Sequence, residues 1–448
     1  MTRAIRLPGP PALTALSNLF AVRRDVVGFL SRLAAEHGDI VAFRVGPIRV
    51  LLLNHPDHVK DVLVTNSRNF VKGRPLRLAK ELLGEGLLTS EGDFHARQSR
   101  IVQPALHPYR IDAYGVIMAD YAARLARGWT HGATVDVFDE MTRLAAAIAG
   151  KTMFNWDMDA AVAEGITRAL EEASSLFTRV SIPLAEYLLK LPLPSSRRFF
   201  RAKAHLDTTI YGLIDERRRE GKDRGDLLSM LLVAQDSAGD GATMTDTQVR
   251  DEALTLFLTG LDTVSLALTW TWYLLSQHPA VETALHAELD TVLGDRAPTM
   301  DDLGRLRYTR MVFSEAMRLY PPIYAFAREA LEPFAVGDYT APAGTLVLLS
   351  PYVLQRDPRF YRDPLRFDPE RWNPEVKSLL PKFAYFPFGG GPRGCIGQAY
   401  AWQEGMLVIA ALAQHWRMRL SPGHPVALRP LVNLRPRYGM RMILERRR

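Results

Sequence analysis

The chain has 448 residues, of which one is a cysteine. A chain of this length can bury a large core without a disulfide or structural metal. One cysteine also excludes internal disulfides and any zinc or iron–sulfur site built on several cysteines. With 47% hydrophobic residues, 23% charged residues and a formal net charge of +7, the composition is that of a folded protein that attracts anionic partners.

The N-terminal region lacks the pattern of an export signal. Residues 1–6 lead directly into a proline-rich hinge at about 7–12, with no apolar run and no cleavage site. The most apolar window, residues 254–275, contains an aspartate and several hydroxyl residues. We predict that this window is a buried core helix, because charges are costly inside a membrane. We therefore expect no membrane anchor and a cytoplasmic location.

The remaining elements predict a mainly α protein with a small β region. In chain order we expect a helix at 26–37, a β-hairpin at 40–45 and 49–53, helices from 56 to 330, strands at 334–340 and 345–349, a proline-rich loop region at 357–392, a helix at about 398–416 and a β-like tail. No shift in composition marks a boundary, so we predict a single domain over residues 1–448.

The cysteine lies in a glycine-rich loop directly before an apolar helix. A lone cysteine is usually a small buried hydrophobic residue. Glycines are costly in conformational entropy, however, and so many of them indicate a backbone that turns tightly and approaches a flat ligand. Unpaired N–H groups at the start of the helix are expected to stabilise a Cys395 thiolate and lower its pKa. Such a thiolate is a soft axial ligand for haem iron.

The loop reads Phe388-x-x-Gly391-x-Arg393-x-Cys395-x-Gly397 and resembles the haem-binding loop of the cytochrome P450 haem-thiolate monooxygenases. The resemblance covers nearly the whole chain. It implies the cytochrome P450 fold, in one haem-enclosing domain, with haem b as the cofactor. It also implies that Cys395 is the proximal iron ligand, that Phe388 packs near the sulfur and that Arg393 pairs with a haem propionate.

The resemblance suggests further contacts to the propionates. The family often has Trp-x-x-x-Arg in one helix, but this chain has His95 at the tryptophan place and Ser99 at the arginine place. We expect His95 to contact one propionate, with Arg100 as the second choice in this helix. Arg328 matches a position that often clamps the other propionate.

Glu315 and Arg318 are three residues apart, on one face of a predicted helix. Alone, they are compatible with a surface ion pair that stabilises little. Together with Arg371 they resemble the buried Glu–Arg–Arg triad of the family. The role that this resemblance implies is structural support of the cysteine loop.

A capping box at Thr245 and Gln248 predicts the start of a long helix. Asp262-Thr263 in this helix resembles the acid–alcohol pair on the distal side of the haem. In that role Thr263 hydrogen-bonds to dioxygen and Asp262 connects it to solvent protons. Alternatively, Thr263 bonds back to a helix carbonyl and Asp262 is a solvated charge. Gly260 weakens the helix, and a local widening there would make room for a small ligand.

The residues expected to line a substrate pocket are apolar or small, and ordinary core packing explains each of them about equally well. They are Leu87, Leu88, Thr255, Leu258, Thr259, Ile323, Tyr324 and Phe326. Residues 171–200 are expected to form a lid over this pocket.

The resemblance implies a monooxygenase that oxidises a hydrophobic small molecule, terpenoid or fatty-acid-like, with dioxygen. No reductase module is recognisable, so we expect a ferredoxin or flavodoxin with an NAD(P)H-dependent reductase as electron source. The basic residues expected at its docking face are Arg97, Arg100, Lys382 and Arg393. A monomer without a nucleic-acid partner is expected.

Two alternatives remain open. One is a peroxide-driven hydroxylase of the same fold, although such relatives typically lack the acid–alcohol pair. The other is a non-catalytic haem-thiolate sensor, which would need neither Thr263 nor a partner surface.

Overall fold

The computed structural model describes residues 7–11, 14–157, 165, 191, 193–235, 241 and 243–447. The α-helices of this part are α1 Ala15–His37, α2 Pro56–Lys60, α3 Arg74–Leu83, α4 Gly92–Val102, α5 Pro108–Gly128, α6 Val137–Phe154, α7 Pro194–Glu220, α8 Leu227–Val233, α9 Asp246–Gln277, α10 Pro279–Val292, α11 Arg307–Leu319, α12 Pro351–Leu354, α13 Pro374–Lys377 and α14 Gln398–Ala413.

The strands are short and are distributed over several small sheets. They are β1 Ile40–Val45, β2 Ile48–Leu53, β3 Phe70–Lys72, β4 Thr134–Asp136, β5 Phe326–Ala330, β6 Phe334–Val336, β7 Tyr339–Ala341, β8 Leu346–Leu349, β9 Trp416–Leu420, β10 Leu428–Pro430, β11 Leu434–Pro436 and β12 Arg441–Arg446. The prediction of a mainly α protein with a small β region is confirmed.

The largest sheet has the strand order β1-β2-β8-β5-β3. Strands β2 and β8 are parallel, and the other neighbours are antiparallel. In the β3–β5 pair, Lys72 lies directly opposite Arg328. Directly opposed side chains lie on one face of a sheet, so this register brings together two cations that are far apart in sequence.

The long helix α9 lies in the middle of the molecule and packs against α6, α7 and α11. It is the one helix of the described chain that is long and apolar enough to cross a membrane, but its apolar window is 83% buried. A helix that is apolar on all sides and covered by other helices is a core helix. The predicted capping box is confirmed at its start, where the Thr245 N–H donates to Gln248 Oε1 at 2.8 Å.

Some predicted boundaries were wrong. Helix α1 begins at Ala15, and the helix predicted at 26–37 is only its second segment. Asp25, which is non-helical at φ −160° and ψ 85°, separates the two segments, and its side chain caps the second one by accepting the Gly28 N–H at 2.9 Å. The strand expected at 334–340 is a hairpin, since Gly337 turns the chain with φ +54°. The last helix ends at Ala413, and the residues that follow form β9.

Two other predicted segments lie at the edge of what the structure describes. In the proline-rich segment, the Pro8 carbonyl accepts the Ala42 N–H at 2.7 Å, which places this segment against β1. Most of the predicted lid lies outside the described residues. Its last part, from Pro194 onward, is the beginning of helix α7.

The capping box yields a first prediction. Thr245→Ala removes the side-chain acceptor for the Gln248 N–H, and loss of such a cap costs about 1 kcal/mol. We expect a lower thermal unfolding midpoint, followed by circular dichroism on the haem-loaded protein. Thr283→Ala is the control, because Thr283 is an exposed residue inside α10. Equal midpoints for Thr245→Ala and wild type would contradict the prediction.

Candidate haem-thiolate site

The cysteine loop runs from Phe388 to Gly397 and leads into helix α14. It is closed by the Cys395 N–H, which donates to the Phe388 carbonyl at 2.9 Å. Gly391 has φ +65°, and a Cβ built there would lie 1.9 Å from the carbonyl oxygen of Leu63. Glycine is needed at this position because another backbone segment packs against it. The expectation that the glycines of this loop allow a close approach to a flat ligand stays a prediction.

The Cys395 thiol is held in a largely apolar environment. Although the residue keeps accessible surface, the protein atoms around its sulfur raise the pKa of the thiol by burial. A hydrogen bond from the Gly397 backbone acts in the opposite direction but is the smaller effect. The hydrogen bond at the helix start thus lowers the pKa as expected, but in the protein alone burial outweighs it and the net shift is upward. A bound metal ion changes the balance, because it deprotonates a coordinating thiol.

Phe388 and Arg393 both precede the cysteine and lie in different surroundings. The Phe388 ring centroid is 6.1 Å from that of Trp402, so α14 fixes its position. Arg393 forms an ion pair with Glu91, and its Nη1 atom is buried with no hydrogen-bond partner in the part of the chain that the structure describes. Buried polar atoms are nearly always paired, so this nitrogen points to an acceptor that belongs at the site.

Several cationic groups converge near Arg393. Burial, followed by the charges of Arg393 and Arg328, lowers the pKa of Lys72 to about 7. Burial and the charge of Arg393 lower the pKa of Arg328 to about 10. Burial, followed by the charges of Arg393 and Lys72, lowers the pKa of His95 to about 4. Glu91 is the carboxylate among them, and it also accepts the Lys72 backbone N–H at 2.6 Å.

This cluster fits the two propionates of a haem. Its cationic groups repel one another and lower one another's pKa, so a dianionic ligand would stabilise their charged forms. Sequence reasoning found Arg328, Arg393 and His95 but missed Lys72. No local pattern marks this lysine, because its position depends on the pairing of β3 with β5. Arg100 is exposed on α4, five residues from His95 and therefore on a different side of the helix.

The structure brings together the three members of the predicted triad. Arg318 Nε and Nη2 donate to the two carboxylate oxygens of Glu315, each at 2.7 Å, and both side chains are completely buried. Arg371 Nε lies 3.3 Å from Glu315 Oε1, and Trp372 Nε1 donates to Oε2 at 3.0 Å. A buried charge is tolerated when it is paired and hydrogen-bonded in this way.

The triad is connected to the segment that precedes the cysteine loop. Arg318 Nη1 donates to the Gln355 carbonyl at 2.7 Å, and the Gln355 side chain accepts the Phe386 N–H at 3.1 Å. Tyr385, beside Phe386, donates its hydroxyl to the Ser314 carbonyl at 3.2 Å. A loss of the triad would therefore displace the chain two residues before Phe388.

Helix α9 carries the predicted acid–alcohol pair. It is α-helical throughout, so the local widening expected at Gly260 was wrong. The Thr263 hydroxyl donates to the Thr259 carbonyl at 2.7 Å, which is the back-bonded alternative for this residue. A hydroxyl has one proton and two acceptor lone pairs, so Thr263 Oγ1 can still accept a hydrogen bond.

Asp262 is paired within the protein. Arg435 Nη2 donates to its Oδ1 at 2.6 Å, and the Asn433 side-chain amide donates to its Oδ2. The residue is only 8% exposed. The alternative of a solvated charge was therefore wrong, because the C-terminal hairpin of β10 and β11 covers this carboxylate, whereas the expected link from Asp262 to solvent protons stays a prediction.

The predicted pocket residues lie on a few neighbouring elements. Leu87, Thr255 and Leu258 are buried, and the others are half-buried. A Cβ built on Gly86 would lie 2.3 Å from Thr255 Oγ1, so the Gly86–Leu88 loop touches α9. The half-buried members are Leu88, Thr259, Ile323, Tyr324 and Phe326.

Two members of this set are fixed by contacts outside the pocket. The Tyr324 hydroxyl donates to the Leu431 carbonyl at 3.0 Å, so Tyr324 is attached to the C-terminal hairpin. Phe326 belongs to β5, and its ring centroid lies 6.1 Å from that of Phe386. Whether these residues contact a substrate stays a prediction.

Sequence reasoning missed a buried carboxyl group on α9. Glu252 Oε2 accepts the Leu87 N–H at 2.9 Å, and its other oxygen has no partner among the described residues. Burial raises the pKa of Glu252 to about 7. One turn later, Thr255 Oγ1 is also buried without a partner. The sequence signal for Glu252 was its position beside an apolar helix stretch, where a carboxylate is costly.

A thiol at the start of a helix, a cluster of cations beside it and a buried hydroxyl-bearing helix define a haem-thiolate protein. A sequence model of the family Cytochrome P450 matches residues 7–437. Cyclooctatin synthase of Streptomyces melanosporofaciens is 42% identical over 98% of the chain and 95% of its own length. Cyclooctat-9-en-7-ol 5-monooxygenase of the same organism is 39% identical over 92% and 90%. Pentalenene oxygenase of Streptomyces avermitilis is 34% identical over 94% and 93%.

The chain belongs to the cytochrome P450 family. It is a haem-thiolate monooxygenase, its cofactor is haem b, and it oxidises a hydrophobic small molecule. Monooxygenases of this family need a redox partner as their source of electrons.

The buried triad yields a second prediction. Removal of one member leaves an uncompensated buried charge, at a cost of about 3–5 kcal/mol. We expect Glu315→Ala and Arg318→Ala to give protein that has lost most of its correctly bound haem, measured by haem content and by the Soret spectrum of the thiolate-ligated form.

Arg124→Ala is the matched control, because it breaks an exposed ion pair with Asp120. Exposed pairs contribute little, so this variant should keep its haem. A wild-type haem content in both triad variants would contradict a supporting role for the triad.

Proposed function

We propose that the protein hydroxylates a terpenoid. The observation that carries this proposal is the similarity, over nearly the full length, to two proteins named Cyclooctat-9-en-7-ol 5-monooxygenase and Pentalenene oxygenase. The apolar residues around α9 support a hydrophobic substrate of this kind, because such pockets bind mainly by burial of apolar surface. A fatty-acid-like substrate has no comparable support.

We infer that Cys395 is the axial ligand and that the cation cluster holds the propionates. Lys72 and Arg328 face each other across β3 and β5, while Arg393 comes from the cysteine loop itself. This arrangement would fix the haem from its edge and from its proximal side. When bound, the thiolate-ligated haem supplies the activation of dioxygen.

Thr263 has the clearest catalytic role among the residues of α9. Its own proton is engaged by the Thr259 carbonyl, so its oxygen acts as a hydrogen-bond acceptor. An acceptor at this position could hold a proton donor, such as a water molecule, in place beside a bound haem. If the Thr263 hydroxyl served only the back-bond to the Thr259 carbonyl, its removal would not change the amount of product formed per NADPH consumed.

We propose that the electrons come from a ferredoxin or flavodoxin with its NAD(P)H-dependent reductase, in a cytoplasmic, monomeric enzyme formed as one domain over residues 1–448. Among the basic residues expected at the docking face, Lys382, Arg97 and Arg100 remain candidates. Arg393 does not, because its side chain is 14% exposed and bound to Glu91. An acidic partner would favour a basic surface, and such docking weakens with salt.

The two alternative functions, a peroxide-driven hydroxylase and a non-catalytic sensor, differ from a partner-dependent monooxygenase in the product formation expected of the purified protein. A peroxide-driven hydroxylase would form product with peroxide and would not need a redox partner. A non-catalytic sensor would bind a ligand without turnover, and the similarity to named oxygenases argues against it.

The third prediction tests the substrate class. Haem-loaded protein is titrated with cyclooctat-9-en-7-ol and with pentalenene, and binding is followed by the haem spectral shift. We expect at least one to bind and to yield an oxygenated product with NADPH, a surrogate ferredoxin and its reductase. A fatty acid serves as the comparison ligand. Binding and turnover of the fatty acid alone would overturn the terpenoid assignment, and product formation only with peroxide would favour the peroxide-driven enzyme.

The fourth prediction concerns Thr263. We expect Thr263→Ala to keep substrate binding but to lower the ratio of product to NADPH consumed by about tenfold, with release of peroxide, because a positioned proton donor or acceptor contributes roughly 10²–10⁴ in rate.

Thr269→Ala is the matched control for Thr263→Ala. Thr269 lies on the same helix and makes the same back-bond, to the Ser265 carbonyl at 2.7 Å. If the two variants retain equal coupling, Thr263 has only the local role that its back-bond suggests.

A further inference from the structure

Two buried oxygen atoms in the first half of α9 have no hydrogen-bond partner within the described chain. They are Oε1 of Glu252 and Oγ1 of Thr255, and these residues are 0% and 2% exposed. Because the two residues are three positions apart, their side chains lie on one face of the helix, about 5–6 Å apart at Cβ. Buried polar atoms are nearly always paired, so two neighbouring unpaired oxygens point to a polar group of a ligand that belongs beside them.

Thr255 differs from other buried threonines of α9. Thr269 and Thr271 each donate their hydroxyl to the carbonyl four residues earlier, at 2.7 Å. Thr255 Oγ1 makes no such back-bond, and Gly86 lies against it: a Cβ built on Gly86 would come within 2.3 Å of this oxygen and 2.7 Å of the Asp251 carbonyl oxygen. A hydroxyl can donate one hydrogen bond and accept two, so Thr255 has both capacities left for a ligand.

The loop that packs on these oxygens is held in place by several hydrogen bonds. Glu252 uses its other oxygen, Oε2, to accept the Leu87 N–H at 2.9 Å. Lys72 Nζ donates to the Leu87 carbonyl at 3.1 Å, and Asp251 Oδ2 accepts the Glu85 N–H at 2.8 Å. A shift of the loop that brought a donor to Glu252 Oε1 would break these hydrogen bonds, and buried groups that lose a partner are costly.

The surroundings of the two oxygens favour a neutral ligand group. Burial raises the pKa of Glu252 to about 7, while the Leu87 N–H and Lys72 act in the opposite direction and Asp251 acts in the same one. The same burial makes an ionised ligand group costly, because it would lose its hydration. A hydroxyl group avoids this cost, and it can donate to one of the unpaired oxygens and accept from the other.

The distance of the two oxygens from Thr263 indicates where this hydroxyl lies in the substrate. Glu252 and Thr255 precede Thr263 by eleven and eight residues, so all three side chains lie within about 80° around α9. At about 1.5 Å per residue, the two oxygens lie roughly 12–16 Å from Thr263 along the helix axis. The recognised hydroxyl therefore belongs at the end of the substrate that is remote from the oxidised carbon.

We propose that Glu252 and Thr255 form a polar subsite that hydrogen-bonds a hydroxyl group already present in the substrate. The enzyme then acts on a terpenoid alcohol in preference to the parent hydrocarbon. A reaction that installs this hydroxyl must supply the substrate, either a cyclisation that ends with the addition of water or an earlier hydroxylation. This inference rests on the proposed function and deepens it, because it assigns the group of the terpenoid that the protein recognises.

The test uses ligands that differ only in the hydroxyl. Haem-loaded protein is titrated with cyclooctat-9-en-7-ol and with cyclooctat-9-ene, the hydrocarbon of the same skeleton, and binding is followed by the haem spectral shift. Dodecanol and dodecane form a second pair, which does not depend on the terpenoid assignment. We expect each alcohol to bind at least about tenfold more tightly than its hydrocarbon, because the hydrocarbon leaves both oxygens unpaired.

Variants of the two residues separate the hydrogen bond from the shape of the site. Thr255→Ala removes the hydroxyl and Thr255→Ser keeps it, while both lose the methyl group. We expect Thr255→Ala to lower the preference for the alcohol about tenfold and Thr255→Ser to retain it. Glu252→Met should lower it similarly, whereas Glu252→Gln keeps an acceptor for the Leu87 N–H and a donor for the ligand and should retain most of it. The control is Thr271→Ala, because the Thr271 hydroxyl is back-bonded on the same helix.

Each outcome of the titrations decides between the subsite and the substrate class. Equal binding of alcohol and hydrocarbon in both pairs, or an equal preference in Thr255→Ala and Thr255→Ser, would overturn the subsite and leave water as the partner of the two oxygens. If the terpenoid pair does not bind, the terpenoid assignment is wrong, and the dodecanol pair still decides the subsite. A lack of binding by all four ligands would overturn both proposals, provided that haem content and thermal midpoint show folded protein.

Discussion

The buried carboxylate of Glu315 is the interaction on which the arrangement of the site depends. It accepts hydrogen bonds from Arg318, Arg371, Trp372 and the Asp368 backbone N–H, so its charge is fully compensated without water. Its partners come from α11 and from the loop region that leads to the cysteine. A carboxylate with five hydrogen bonds from four residues holds these segments in one geometry, because any movement would leave a buried charge without a partner.

The candidate propionate site differs from the Glu315 triad in that its positive charges outnumber its negative ones. The buried cations Lys72 and Arg328 lie near the half-buried Arg393, and Glu91 forms an ion pair with Arg393. Their mutual repulsion is a cost in the protein alone, and an anionic ligand would remove it. On α9, by contrast, the Asp262 carboxylate is paired with Arg435 and Asn433 within the protein.

A large part of the fold could be predicted from the sequence. The hairpin of β1 and β2, the capping box of α9, and the helix after the cysteine follow from local patterns of apolar residues, glycines and caps. One boundary error occurred in α1, where Asp25 caps a second helix segment and the prediction found only that segment. The reason for glycine at position 391 could not be read from the sequence, because the backbone that it approaches belongs to Leu63, far away in the sequence.

The motif residues of the site could also be found from the sequence, since Cys395, Arg393, Glu315 and Thr263 occur at fixed spacings that a single chain reveals. The electrostatic environment of these residues could not be predicted from the sequence. The raised pKa of Cys395, the contribution of Lys72 to the cation cluster and the pairing of Asp262 with Arg435 all arise from contacts between distant segments. Spacing along the chain indicates which chemical groups are present, whereas burial and charge pairing depend on which segments pack together.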